Sequence, residues 1–101
     1  MKARYERNLN ALSKEEQESL SGKRVCIAGC GGLGGYLLEY FLRIGIGHIT
    51  VIDGDCFEES NLNRQLLSDE SSIGSSKIQT AKARAAAVNS KITVTAVDSF
   101  L

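Results

Sequence analysis

The chain has 101 residues, 43% of them hydrophobic, no proline, and twelve basic side chains against twelve acidic ones. That length allows at most one small domain, and zero net charge argues against a broad basic surface for nucleic acid or anionic membrane. No apolar run approaches the roughly 20 residues that span a bilayer, and the opening MKARYERNLN has no apolar segment behind its basic residues, unlike a secretory signal.

The elements follow in order. The stretch ALSKEEQESLSG predicts a short helix: Ser13 and Glu16 have capping-box spacing, Leu12 and Leu20 can share a face, and Gly22 supplies a stop. The compact apolar run KRVCIAG predicts a buried strand at residues 24 to 28. Leu33, Leu37, Leu38, Phe41 and Leu42 recur at helical spacing, which places an amphipathic helix over residues 33 to 44, ended by Gly45 and Gly47. HITVID reads as a second strand. A polar stretch from Gly54 to about Ser75 follows, with a helical turn in SNLNRQLL, and loops of that length usually carry function. SSKIQTAKARAAAVNS predicts a helix with Ile78, Ala81, Ala85 and Val88 on one face, and KITVTAVDSFL an alternating third strand. The order β-α-β-loop-α-β specifies an α/β fold: a Rossmann-like parallel sheet with right-handed crossovers and an N-terminal helix. Parallel sheets are normally covered on both faces, so these are three strands of a larger doubly wound sheet.

The cysteines Cys26, Cys30 and Cys56 are odd in number and contain no C-x-x-C. They indicate a reducing cytoplasm without disulfides and without a metal site in these residues. Cys26 is expected to pack in the core. Neither Cys30 nor Cys56 has a histidine beside it in sequence, so neither is assigned as a nucleophile.

Gly29, Gly31 and Gly34 match G-x-G-x-x-G directly between a strand and a helix, with Gly32 and Gly35 added. Glycines allow the tight turn and the close approach of backbone to phosphate, and the helix N-terminus offers free N–H groups to an anion. Asp53, nineteen residues after Gly34 at the end of the next strand, can accept hydrogen bonds from ribose hydroxyls. This pattern alone fits NAD, FAD, S-adenosylmethionine or ATP. This fold predicts that Gly29, Gly31, Gly34, Asp53 and Val25 cluster at the carboxyl end of the sheet, with Arg64 and Lys77 converging on one pocket.

The motifs GCGGLGG, DGDCFEESNLNRQ and GSSK, with the spacing D-x-D-x(5)-N-x-x-R-Q and a lysine twelve residues after the glutamine, are more specific. From RYERNL to VDSFL the chain resembles the adenylyltransferases of molybdopterin-synthase and thiamine biosynthesis, which activate ubiquitin-like sulfur carriers and have the ubiquitin-activating enzymes as relatives. The resemblance implies MgATP as cofactor and a carrier protein's C-terminal carboxylate as substrate, joined as an acyl-adenylate with release of pyrophosphate. It implies that Arg64 and Lys77 contact the phosphates, Asn61 and Gln65 order the site, Asp53 holds the ribose and Asp55 stands nearby. Arg7 matches an arginine donated across a homodimer to the partner's ATP, a third catalytic cation. The magnesium-binding aspartate is expected outside these residues, since in the family it follows a later strand.

Plainer roles stand beside these. Arg64 can clasp Asp55 or Glu58, and Arg7 can be a solvated terminal arginine. Lys77 opens a helix, where the dipole disfavours a cation, so it suggests an anionic partner. The expectation is therefore the nucleotide-binding half of an adenylating domain, incomplete for catalysis alone. A relative acting on a modified tRNA base, a non-catalytic nucleotide- or partner-binding module, and an NAD-dependent oxidoreductase are the competing readings. The last has no use for SNLNRQ or Lys77.

Overall fold

The computed structural model describes residues 3–100. Leu101, the end of the resemblance, lies outside the described residues. A 3₁₀ segment, Ala3–Asn10, leads into helix α1, Lys14–Ser19, and a 3₁₀ turn, Leu20–Gly22. Strand β1 is Arg24–Ala28, helix α2 Gly32–Ile44, strand β2 His48–Ile52, helix α3 Lys77–Val88 and strand β3 Thr93–Val97. The capping box forms: Glu16 N–H donates to Ser13 Oγ and Ser13 N–H to Glu16 Oε1. The long Ala3–Asn10 segment is one that the sequence patterns did not foretell.

The three strands pair in parallel in the order β1-β2-β3, with Ile27 opposite Val51 and Val51 opposite Ala96. Successive right-handed crossovers that move one strand over each time put α2 and α3 on the same face. Between that face and the helices lies the core: Ile27, Leu38, Leu42, Ile49, Val51, Ile78, Ala81 and Ala85 are buried, with Val25, Val94 and Ala96 packed against them. Alternation then sends Cys26, Ala28, Thr95 and Val97 to the other face, where they are exposed. Cys26 is therefore not a core residue, contrary to the expectation. Its strand is apolar enough for two-sided burial, but the helices among the described residues cover the opposite side.

At the amino ends of the strands, the 3₁₀ segment is pinned by polar bonds. Asn89, after α3, donates through Nδ2 to Tyr5 Oη at 2.7 Å and to the Leu42 carbonyl at 3.1 Å. Gln17 donates to the Ile44 carbonyl at 2.8 Å and accepts from Asn8 at 2.9 Å. The buried member of α1 is thus Gln17, with its polar groups satisfied, while Leu12 and Leu20 are only half-buried.

Candidate nucleotide site

At the opposite, carboxyl edge of the sheet, β1 runs into the glycine turn. Gly29 and Gly32 have φ of +95° and +40°. Gly31 is the extended N-cap of α2, and a Cβ there would stand 2.6 Å from Gln65 Oε1. A Cβ at Gly34 would stand 1.9 Å from the Gly29 carbonyl oxygen, closer than any side chain tolerates. The turn can therefore close on α2 only with glycine at position 34. Val25, by contrast, sits near the amino end of β1 opposite Ile49, so it does not belong to this cluster.

Asp53 links the two loops at this edge. Its Oδ2 accepts the Cys30 N–H and its Oδ1 the Asp55 N–H, each at 2.8 Å. Asp55 in turn accepts the Lys77 N–H through its carbonyl at 2.9 Å, so the glycine turn, the end of β2 and the start of α3 form one connected backbone frame. The carboxylate oxygens each keep lone pairs for a further donor. Cys30 is buried beneath this frame. Burial, and then the Asp53 carboxylate, push its thiol up to about 11, offset in part by the Lys77 ammonium.

Lys77 is only 8% exposed. Its Nζ lies 5.6 Å from the centroid of the buried Phe57 ring, and among the described residues it forms no ion pair with a carboxylate. The long loop is ordered around Phe57, whose carbonyl accepts the Gly74 N–H at 2.8 Å. An antiparallel bridge between Cys56 and Ser76 closes the loop on α3.

Asn61 is a hub of that loop. Its Oδ1 accepts the Glu58 N–H at 2.8 Å, and its carbonyl accepts from Gln65 N and Ser68 Oγ, both at 3.0 Å. Gln65 is 7% exposed, and its Oε1 is buried without a hydrogen-bond partner. An orphaned buried acceptor beside a turn that excludes even a methyl group fits a loop shaped to meet a bound group. Arg64 is exposed, bonded through Nη1 to the Ser60 carbonyl at 3.4 Å and Asn63 Oδ1 at 3.2 Å. Among the described residues it makes no ion pair with Asp55 or Glu58.

A cleft of about 210 Å³ opens at this edge, lined by Gly29, Ile52, Asp53, Asp55 and, unforeseen in the sequence, Gly54 and Phe100. Neither Arg64 nor Lys77 lines it. A lone phenylalanine after a strand carries no motif, so only its placement reveals it. A roomier cleft of about 370 Å³ lies at the amino edge around Tyr5, Gly47 and His48. It contains none of the motif residues, and the chemistry favours the smaller one. Arg7 is exposed on the 3₁₀ segment near that amino edge, two residues from Tyr5. Strands of five residues at ~3.3 Å each separate the two edges by roughly 16 Å, so Arg7 does not join the glycine turn of its own chain. No three His, Cys, Asp or Glu side chains come together as a metal cage among the described residues, nor is any helix there long and apolar enough to cross a membrane. Magnesium that arrives with a nucleotide needs no such cage, since it keeps waters and phosphate oxygens as ligands.

Comparison with known proteins gives a consistent result. Residues 5–101 match the ThiF family. The molybdopterin-synthase adenylyltransferase of Salmonella typhimurium is 37% identical over 100 residues, covering 97% of this chain and 40% of that protein. The tRNA threonylcarbamoyladenosine dehydratase of Bacillus subtilis is 36% identical over 96 residues, covering 95% of this chain and 38% of that one. Among solved structures, the E. coli tRNA N6-threonylcarbamoyladenosine dehydratase in complex with ATP superposes with a TM-score of 0.93 at 30% identity, over 97% of this chain and 40% of that chain. The chain thus spans about 40% of the length of the curated relatives it matches.

Proposed function

The chain belongs to the ThiF family, and on that premise we propose that it is the ATP-binding part of an adenylyltransferase that activates the C-terminal carboxylate of a ubiquitin-like sulfur-carrier protein. MgATP supplies the α-phosphate that is joined to the carboxylate, with pyrophosphate leaving. The free N–H groups at the start of α2 and the glycine turn bind phosphate oxygens. Asp53 uses its spare lone pairs for ribose hydroxyls while it holds the turn in place. Lys77 and Arg64 supply positive charge against the phosphates, Asp55 holds the start of α3 to that frame, and Asn61 and Gln65 keep the loop in shape. Arg7, remote from its own turn, acts on a second copy's nucleotide in a homodimer.

One observation carries this reading: Lys77, a buried ammonium at the first position of α3 with no carboxylate paired to it among the described residues. Burial and the helix dipole both oppose a cation there, so an arriving anion supplies the missing interaction. Calorimetric titration of the chain with MgATP and, separately, NADH tests it. Binding of ATP in preference to NADH supports the reading, and preference for NADH overturns it. Likeness to the tRNA-modifying dehydratases favours a second reading, in which the activated group sits on a modified tRNA base. Exchange of pyrophosphate into ATP that is stimulated by tRNA and not by carrier protein would select it.

A further inference from the structure

The cleft at the amino edge of the sheet, about 370 Å³, contains no residue of the nucleotide motifs. It has the size of a small-molecule site, and its frame is fixed by backbone. Gly47, in its wall, donates to the Leu20 carbonyl at 3.1 Å and accepts the Thr93 N–H at 3.0 Å. A Cβ at Gly47 would stand 1.8 Å from the Ser21 carbonyl oxygen, so the segment after α1 can close on β2 only across a glycine.

One wall is built on Asn89, which is 1% exposed. Its amide has a fixed orientation: Nδ2 donates to the Leu42 carbonyl at 3.1 Å, and Oδ1 accepts the Lys91 N–H at 3.3 Å. The same Nδ2 donates to Tyr5 Oη at 2.7 Å. The phenol is the acceptor in that bond and keeps its own proton for another acceptor. Lys91, bonded to the same amide, brings an ammonium group that has no carboxylate partner among the described residues. Asn89 thus holds a spare O–H donor and a cation on one wall of the cleft.

The opposite wall is α1, pinned where Gln17 Nε2 donates to the Ile44 carbonyl at 2.8 Å. It carries Glu18, a carboxylate that is also without an ion pair among the described residues. Solvation alone accounts for one exposed charge. It does not account for opposite charges that share a cleft unpaired, with a phenol proton left over between them. The Tyr5 ring and Ile92 add apolar surface to the same space.

We propose that this cleft is a second ligand site, for a free α-amino acid with an apolar side chain. The Tyr5 hydroxyl and the Lys91 ammonium take the carboxylate, Glu18 takes the amino group, and the side chain lies on the Tyr5 ring and Ile92. The site stands independently of the nucleotide reading, at the other end of strands roughly 16 Å long.

His48 lines the cleft and is the single histidine of the chain, so its ring-proton resonances report occupancy in solution NMR. L-leucine, L-methionine and L-phenylalanine are titrated at constant pH. Each is matched by its N-acetyl form, which lacks the amine charge, and its amide, which lacks the carboxylate. At least one free amino acid is expected to shift the His48 resonances saturably, and its blocked forms are not. Lys91→Met and Glu18→Gln, both at exposed positions, are expected to melt as the parent does and to weaken that response about tenfold each. No saturable shift with any of the three, an equal response to a blocked form, or parent-like affinity in either variant overturns the site. Should a variant melt early, the blocked forms alone decide.

Discussion

Asp53 Oδ2 accepts the backbone N–H of Cys30 at 2.8 Å. The residue that sequence spacing reserves for a ligand's ribose is therefore also the brace of the glycine turn. Asp53→Ala leaves the N–H groups of Cys30 and Asp55 without their acceptor. The expected cost is about 1–3 kcal/mol, or a fall of roughly 5–15 °C in melting temperature, together with loss of ATP binding. A variant that melts like the parent would show that the brace contributes nothing to stability.

Gly34→Ala is expected to be the more severe change. The added methyl meets the Gly29 carbonyl at 1.9 Å, backbone against backbone, with no rotamer to relieve it. A loss of about 3 kcal/mol or more is expected. Gly22→Ala is the control, because nothing lies within 4 Å of its Cβ position. Chemical denaturation of the two variants side by side checks the contrast.

Lys77→Met separates binding from folding. Methionine keeps the packing against Phe57 and removes a buried charge from the start of α3, where the dipole opposes it by roughly 0.3–1 kcal/mol. Stability is expected to hold or rise slightly while calorimetric ATP binding disappears. An unfolded Lys77→Met would mean that the ammonium is a structural member of the loop.

Cys30 makes a pH-dependent prediction. Its folded-state pKa, raised from 9.0 to about 11, means that the fold favours the thiol over the thiolate. That contribution is fully present below pH 9 and is lost as pH rises through 11, on the order of 2 kcal/mol. Subtracting the stability curve of Cys30→Ala from that of the parent between pH 8 and 11 isolates it from tyrosine and lysine titration. In the native state at pH 8, Cys26 and Cys56, both exposed, are expected to react with a thiol reagent while Cys30 is protected. Rapid labelling of all three would contradict its burial.

Much of this site is legible without coordinates, because its signals are local. Strand β1 at Arg24–Ala28 shows in the sequence as a compact apolar run, the helix that follows it as helical spacing, and the capping box as two residues. The spacing from Gly29 to Asp53 reports a strand–turn–helix–strand whatever surrounds it. Lys77 stands out in the sequence by a mismatch between its charge and the helix end it occupies, and its burial deepens that mismatch. Gln65 gained its orphaned oxygen only from the way the long loop folds back on Gly31.

By itself the sequence determined the order of the elements, the glycine turn and the acid after β2, since each depends on backbone preferences and side-chain periods a few residues long. The tertiary structure alone decided which face of the sheet the helices cover, and so turned Cys26 outward and Ile27 inward. It alone placed Tyr5 on Asn89, 84 residues away, carried Arg7 to the far edge from its own turn, and set Phe100 against Gly54. Those outcomes rest on contacts between distant segments, where the energy lies in a pairing that no short stretch of either segment encodes.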